Sequence, residues 1–520
     1  MPQVFVFDTT LRDGTQMEGF SLSPLDKLAV AKRLDAFGVH YIEGGWPGSN
    51  PRDKEFFALA EKEDFKNALL MAFCSTHHKK FTPEEDPNLR ATLESGAKGA
   101  VVFGKTWKFH TQELLGITPE ENFSIIETSV KFLKDAGLKV FFDAEHFFNG
   151  FEDDEEFSFL CLEAAIRGGA DNLTLCETNG GMLPERVYEI TKKVGERFSN
   201  ISIGIHAHND GELAVANSLS AIRAGATLVQ GTINGVGERC GNANLCSILP
   251  NLELKMGIQT VGKENLRTLT ELSLFVSERA NFQMPKNLPF VGRTAFAHKG
   301  GIHVSAVSKF PHSYEAILPE SVGNERRITI SDLSGKSNLM AVAKKMGFAP
   351  QELGDEFFTN LLIKIKAFEN EGIQFEGASA SFELLFYRSL PHFIPAFEIE
   401  NFFVHTSKIE EEKEFPVEAM VSGKVGKVSF HTAGFGNGPV GALDDALRKA
   451  LSQQYPQIVT MKLIDFKVRI TDVDAGTSAK TRVFIESTDE KNTWGTVGCS
   501  QNIIEASLDA LVDSFLYFLR

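Results

Sequence analysis

One unit recurs from Val4 to about Gly231: a short apolar run, a polar loop, an amphipathic stretch, then a glycine followed by a small or apolar residue. The punctuating pairs are Gly38-Val39, Gly96-Ala97, Gly137-Leu138, Gly169-Ala170 and Gly225-Ala226. Each follows a helical pattern and precedes an apolar run, where a left-handed residue releases a helix into the next strand. Alternating β and α segments imply a parallel sheet and an α/β fold. The apolar runs are Val4–Phe7, Tyr41–Gly45, Leu69–Phe73, Ala100–Phe103, Val140–Phe142, Leu173–Cys176, Ile201–Ile205 and Leu228–Ile233, eight in all. Eight β/α units in about 250 residues match a closed (β/α)8 TIM barrel, with an open doubly wound sheet as the other arrangement.

At 520 residues the chain exceeds what one core supports, so further domains follow the barrel. Residues 265–285 read as helical until Met284-Pro285 and Leu288-Pro289 break the pattern. Phe296-Ala-His298-Lys-Gly300-Gly301-Ile-His303 reads as a loop and helix start, and a mixed helical stretch runs on to about 385. Ile409–Lys413 is a charge run expected to be a solvated linker. The expected division is residues 1–270 as barrel, 271–410 as mainly helical subdomains, and 411–520 as a C-terminal α+β domain. Within the last, Val425–Phe430 reads as a strand, Gly434–Pro439 as a glycine-rich turn and Val440–Leu451 as an amphipathic helix. Met461–Ile470 and Thr481–Ile485 read as strands, Asp472–Thr477 as a loop and Asn502–Leu519 as a helix. Gly438 ahead of one helix and Gly498 ahead of the other suggest two related β-loop-α halves, suited to self-pairing and to holding a small ligand. An ordinary α/β domain with turns satisfies the same pattern.

In a barrel of this kind the loops after the strands form the functional face. The chemistry-bearing residues fall there: Arg12 and Asp13 after the first run, Glu43 in the second, Asp143 and Glu145 after the fifth, Glu177 and Thr178 after the sixth. His206 and His208 end the seventh run, and Asn234–Asn242 follows the eighth. Side chains at i and i+2 share a strand face, so His206 and His208 can converge on one point, and two nitrogens there suit a divalent metal. Taken alone, His-x-His also fits a hydrogen-bonded surface pair; the polar groups gathered at one end of eight strands favour the site. Charge narrows the partners. A formal net charge of −16 with no Lys/Arg-rich run excludes nucleic acid and anionic membranes as partners. No stretch is long enough to span a bilayer, and the N-terminus runs into a strand pattern without signal-peptide character. Six scattered cysteines without Cys-x-x-Cys fit reduced thiols in a cytoplasm.

Asp8-Thr-Thr-Leu-Arg12-Asp13-Gly14-Thr-Gln16, His206-Ala-His208-Asn-Asp210 and Gly235-Val-Gly-Glu-Arg-Cys-Gly-Asn242 resemble the signatures of the metal-dependent barrel acyltransferases that include isopropylmalate, homocitrate and citramalate synthases. Phe103-Gly-Lys-Thr-Trp107, Val322–Arg326, Asp332–Ser337 and Gly436-Asn-Gly-Pro439 look most like the citramalate synthase branch. The resemblance implies a Claisen-type condensation of acetyl-CoA with a 2-keto acid, pyruvate in that branch, followed by thioester hydrolysis. That is the first step of a threonine-independent isoleucine route. It implies a divalent ion, Mg²⁺, Mn²⁺ or Zn²⁺, held by Asp13, His206, His208 and Asn242. Two imidazoles with two oxygen donors suit such an ion on chemical grounds as well. Arg12 would stabilise the developing alkoxide, where the plain alternative is a salt bridge closing the barrel top. Thr178 would bind the keto acid, where the alternative is a helix N-cap. Glu145 and His303 would form the acid/base pair, the histidine reaching in from its own or a partner subunit, with Tyr314 near the acetyl-CoA region. Standing alone, His303 reads as a loop histidine and Tyr314 as packing. Gly436, Asn437, Gly438, Asp474, Gly476 and Thr477 would hold an amino-acid effector, isoleucine by resemblance, in a homodimer.

Two departures stand out. Glu177 occupies a position where relatives carry aspartate, lengthening a side chain beside the substrate, and Ile302-His303-Val304-Ser305 lacks the Gln-Asp of the isopropylmalate type. Another keto acid, 2-ketoisovalerate or 2-ketoglutarate, keeps the same chemistry, because pocket volume makes that choice. Cys240 gives an acyl-CoA lyase some support, although the surrounding Gly-Glu-Arg-Cys-Gly-Asn is of the synthase kind. An inactive amino-acid sensor would have no reason to keep Arg12, Asp13, Glu145, His206, His208 and Asn242 together.

Overall fold

The computed structural model describes residues 3–299, 301–328, 335–406, 417–471, 476 and 478–520. Eight strands close into a parallel barrel in sequential order. They are β1 (Phe5–Asp8), β2 (Tyr41–Gly45), β3 (Leu69–Ser75), β4 (Gly99–Lys105), β5 (Lys139–Glu145), β6 (Asn172–Glu177), β7 (Ser202–Ala207) and β8 (Leu228–Gly231). β1 pairs with both β2 and β8, which decides for the closed barrel over the open sheet. The glycine punctuation has its expected cause. Gly38, Gly96, Gly137, Gly169 and Gly225 all adopt positive φ, from 75° at Gly96 to 111° at Gly225. At Gly38 the N–H bonds back to the Leu34 and Asp35 carbonyls and ends the helix Pro24–Phe37.

Side-chain alternation divides each strand between two apolar layers. Val6, Ile42, Ala72, Val102, Phe142 and Val229 face the surrounding helices, while Phe7, Tyr41, Met71, Val101, Phe141 and Leu228 fill the barrel interior. Both faces are covered, so these runs read as continuously apolar. Helix starts are fixed locally: Ser23 with Asp26 and Thr118 with Glu121 form capping boxes, each ahead of a first-turn proline. The helical reading of 265–285 resolves into Lys263–Leu266 and Leu269–Arg279.

The chain forms two compact units, one of residues 1–296 with 315–326 and the other of 297–314 with 327–520. The second unit opens with a two-residue parallel pair, β9 (Ala297–His298) and β10 (Arg327–Ile328), and the helices Gly301–Lys309, Lys336–Lys345, Pro350–Asn370 and Ser379–Arg388. It ends in two three-stranded antiparallel sheets. The first, β11 (Glu398–Thr406), β12 (Val417–Val425) and β13 (Val428–Gly436), leads into the helix Pro439–Leu451. The second, β14 (Lys462–Ile470), β15 (Thr481–Thr488) and β16 (Thr493–Ser500), leads into the helix Ile503–Phe518. One apolar core joins the two, built from Val421, Leu443, Leu447, Val483, Ile485, Leu511 and Phe515.

Two local expectations are corrected here. Val425–Phe430 is not one strand: the chain reverses at Gly426, with φ of 59°, and β12 pairs with β13 across that turn. Alternation continues on both sides of a two-residue turn, so the pattern alone hides the reversal. Gly434 and Gly436 belong to β13 and not to a turn. A Cβ on Gly436 would lie 2.6 Å from the Ala442 amide nitrogen, so these glycines let the following helix rest on the strand. Gly498 does the same within β16 against Ala506 and Ala510. Ile409–Lys413 lies outside the described residues. Among the described residues, no helix is long and apolar enough to cross a membrane.

Candidate active site

After β1 the chain turns sharply, with the Asp13 and Gly14 N–H groups donating to the Thr9 carbonyl at 2.9 and 3.1 Å. The Asp8 carboxylate holds the turn by accepting the Thr10 N–H at 3.0 Å and its hydroxyl at 2.9 Å. Arg12 and Asp13 are thereby turned over the barrel mouth. From the other side, the loop after β8 returns against the end of β7: Ala243 N–H donates to the Ala207 carbonyl at 2.9 Å, and Asn242 bridges to His208. Gly241, with φ of 92°, stands against the Gly235 carbonyl where no side chain fits, which closes this loop around Asn242.

His206 Nε2 is 3.2 Å from His208 Nε2 and 3.3 Å from Asp13 Oδ2, and the Asn242 amide is 2.8 Å from the same Asp13 oxygen. All four residues are buried. Among the described residues, Asp13 Oδ1 and Asn242 Oδ1 have no hydrogen-bond partner. Orphaned buried oxygens beside two imidazole nitrogens that face each other are unfavourable as a protein-only arrangement, and they form a donor set that fits a divalent cation. The imidazole of His206 is aimed by its other nitrogen: Nδ1 pairs with Gln230 Oε1 at 2.8 Å. The Gln230 amide donates in turn to Asp143 Oδ1 at 2.9 Å, which makes Nδ1 the protonated nitrogen and turns the Nε2 lone pair to the cluster. Gln230 escaped the sequence reading; a glutamine inside the apolar run Leu228–Ile233 was the available signal.

The electrostatics suit the same reading. Burial works to raise the Asp13 carboxyl, but the Arg12 guanidinium leads the interactions that hold the group well below the usual carboxylate range. Burial depresses His208 to about 3, so its imidazole is neutral and able to ligate. Arg12 donates through Nε to Glu43 Oε2 at 2.6 Å and lies 3.8 Å over the Phe73 ring. Both the salt bridge and a place on the cavity wall are therefore real for Arg12.

A cavity of about 190 Å³ opens over this cluster, lined by Arg12, Asp13, Glu145, Thr178, His206 and His208 and closed by Trp46, Phe73 and Phe103. Glu145, at the end of β5, is ion-paired with Lys105 of β4, and its carbonyl accepts the Thr106 hydroxyl at 2.8 Å. The Phe103–Trp107 segment singled out in the sequence thus packs around Glu145. Thr178 heads no helix, since the next begins at Pro184; its hydroxyl accepts the His146 N–H at 2.9 Å. Glu177 does not face the substrate cavity. Its carboxylate accepts the Gly181 N–H at 3.1 Å, so the longer side chain braces the loop beyond β6.

His303 and Tyr314 belong to the second unit, where their rings stack at 4.3 Å; Arg12, Asp13, Glu145, Thr178, His206 and His208 belong to the first. Gly436 ends β13, Asn437 and Gly438 join it to its helix, and Gly438 has open space around its Cα. Gly476 takes φ of 56°; Asp474 and Thr477 lie outside the described residues. Cys240 is exposed and free.

Comparison with known proteins agrees with this architecture. The HMGL-like family model matches residues 3–276, the homocitrate synthase post-HMGL domain-like model matches 290–372, and the LeuA allosteric (dimerisation) domain model matches 376–519. An (R)-citramalate synthase of Aquifex aeolicus is 52% identical, covering 99% of this chain and 98% of its own. Those of Geobacter sulfurreducens and Synechocystis sp. are 48% and 46% identical, covering 100% and 99% of this chain and 98% and 96% of their own. With a barrel whose mouth gathers Asp13, His206, His208 and Asn242, and with full-length relatives at this level of identity, the chain belongs to the HMGL-like family of barrel enzymes, in the group of the (R)-citramalate synthases.

Proposed function

We propose that the protein condenses acetyl-CoA with pyruvate and hydrolyses the resulting thioester to release citramalate and CoA, as the feedback-regulated first step of a route to isoleucine. The full-length match to (R)-citramalate synthases carries this reading. The cavity supports it: Trp46, Phe73 and Phe103 face the site with apolar rings that suit a methyl group and offer no partner to a second carboxylate.

Asp13, His206, His208 and Asn242 would hold a divalent cation, which when bound supplies Lewis-acid polarisation of the keto group. Arg12, oriented by Glu43, donates to the oxygen on which negative charge develops. Thr178 and Arg12 orient the keto acid. Glu145 takes a proton from the acetyl methyl group, and Lys105 holds its carboxylate at the cavity edge. His303, with Tyr314 stacked on it, serves as the partner acid on the acetyl-CoA side. The stretch Gly436, Asn437 and Gly438, from the end of β13 to its helix, takes the effector together with Asp474, Gly476 and Thr477. Self-association is supported by β14, whose Phe466, Val468 and Ile470 share one face and are 37–60% exposed. We read the active form as a homodimer working in the cytoplasm.

The test is CoA release from acetyl-CoA with Mg²⁺ or Mn²⁺ against pyruvate, 2-ketoisovalerate and 2-ketoglutarate, with and without isoleucine. Release with pyruvate alone, inhibited by isoleucine, is expected; preference for 2-ketoisovalerate would replace the assignment by an isopropylmalate synthase. In the same assay Glu145→Gln should lose about 10²–10⁴-fold in kcat while still binding pyruvate. Near-normal turnover would take the base role away from Glu145.

A further inference from the structure

Trp46 follows β2 directly, and it is held at both ends. Its backbone N–H donates to Asp53 Oδ2 at 2.8 Å, and its indole N–H donates to Asn88 Oδ1. Neither anchor is loose. The other oxygen of Asp53 is ion-paired with Lys27, whose ammonium also donates to the Gly44 carbonyl at 3.3 Å. The Asn88 amide donates to the carbonyl and the hydroxyl of Ser75, both at 3.1 Å, where β3 ends. Lys27 and Asp53 are buried, with side chains only 3% and 6% exposed.

A buried ion pair loses much of its attraction to desolvation and is a weak source of stability. This one fixes a direction. Gly44 and Gly45 leave no room for side chains against Phe56, Phe57 and Asp53, so the turn after β2 has one way to leave the strand. The pinned indole meets Phe73 edge-on at 5.4 Å and Phe103 edge-on at 5.5 Å, and those two rings stack at 5.1 Å. The Arg12 guanidinium lies over Phe73. The three rings and Arg12 are thus one packed unit, on the side of the cavity that adjoins Asp13.

We propose that Asn88 and the Lys27–Asp53 pair are positioning residues that pin Trp46 as the size-limiting wall of the cavity, so that a 2-keto acid longer than pyruvate is rejected by a ring that cannot swing aside. The proposal rests on the function given above. An unpinned indole has rotamer freedom and yields to an extra methylene; a pinned one turns that methylene into overlap.

The experiment uses the full-length Mn²⁺-loaded protein without acetyl-CoA and measures Kd for pyruvate and for 2-ketobutyrate by calorimetry, with kcat for each read separately by CoA release. The variants are Trp46→Phe, Asn88→Ala, their double, and Asp53→Asn. Trp46→Phe and Asn88→Ala should each reduce the preference for pyruvate about tenfold or more, and in Asn88→Ala, whose side chain lines no part of the cavity, kcat for pyruvate should be little changed. The double variant should go no further than the larger single effect, because both act through one ring. An unmoved Kd ratio in Asn88→Ala that melts like the wild type, or fully additive effects in the double, would overturn the proposal. Should Asp53→Asn not fold, the other three variants decide. Pyruvate turnover with an unmoved ratio removes the clamp and leaves the function standing. A wild type that prefers 2-ketoisovalerate removes the function, while the variant-to-wild-type ratio still judges the clamp. Binding of neither acid removes both.

Discussion

At the barrel mouth Gln230 decides how His206 presents its ring, because its carbonyl takes the Nδ1 proton and its amide is fixed by Asp143. Replacing it by leucine, of similar reach, should leave the fold intact and weaken Mn²⁺ binding about 10–100-fold in a calorimetric titration. Unchanged affinity would mean that Asp13 and Asn242 suffice to aim the ligands. A second residue-scale effect concerns pH. Burial outweighs the pull of Glu145 and, joined by repulsion from His110 and Lys105, depresses His146 to about 4. A histidine depressed in the folded state takes up its proton more readily when unfolded. The stability it contributes is therefore present above its unfolded value of about 6.5 and is lost as pH falls towards 4. His146 has φ of 58°, a conformation asparagine tolerates, so His146→Asn should flatten the fall in Tm between pH 6.5 and 4 relative to the wild type. Parallel melting curves for the two proteins would exclude the effect.

At the scale of elements, the two C-terminal halves are built alike, each a three-stranded antiparallel sheet covered by one helix. The contact is a glycine on the last strand against alanines on the helix: Gly434 on Ala442 and Ala446, Gly498 on Ala506 and Ala510. A methyl group at either glycine would meet helix backbone, which cannot fold away as a flexible side chain could. Gly434→Ala and Gly498→Ala should each cost about 1–3 kcal/mol, seen as a lower Tm in scanning calorimetry. Gly441 sits inside the helix Pro439–Leu451 with nothing near its Cα, so Gly441→Ala should instead stabilise by about 0.5–1 kcal/mol. Destabilisation by both kinds of change would point to a cause other than this packing.

For the whole molecule, regulation requires that an effector in the C-terminal domain alter work done in the barrel. Gly438 is a position where a change is sterically free, with an open surround and a place directly ahead of the helix Pro439–Leu451. Gly438→Glu should leave uninhibited CoA release at the wild-type rate and reduce sensitivity to isoleucine at least tenfold in a dose-response measurement. Full inhibition in this variant would place the effector elsewhere.

Much of this was legible in the sequence for physical reasons that act over a few residues. Strand runs, capping boxes and the left-handed glycines are decided by backbone sterics and by which residues avoid water, so eight β/α units could be counted before any pairing was known. His206 and His208 share a strand face because the pleat has period two, and the resemblance to the barrel acyltransferases implied Asp13 and Asn242 as their companions. Sequence did not reach what depends on contacts between distant segments. Barrel closure is one, decided by β1 pairing with β8 across more than 200 residues. Others are the aiming of His206 by Gln230, the turn of Glu177 away from the cavity, and the assignment of Gly434 and Gly436 to a strand under a helix. Each follows from which side chains the folded chain brings within hydrogen-bonding or van der Waals reach. The wall of Trp46, Phe73 and Phe103 is of the same kind: one aromatic just after β2 and two on β3 and β4 carry no joint pattern in sequence, and only the folded barrel packs them together, with Arg12 over Phe73.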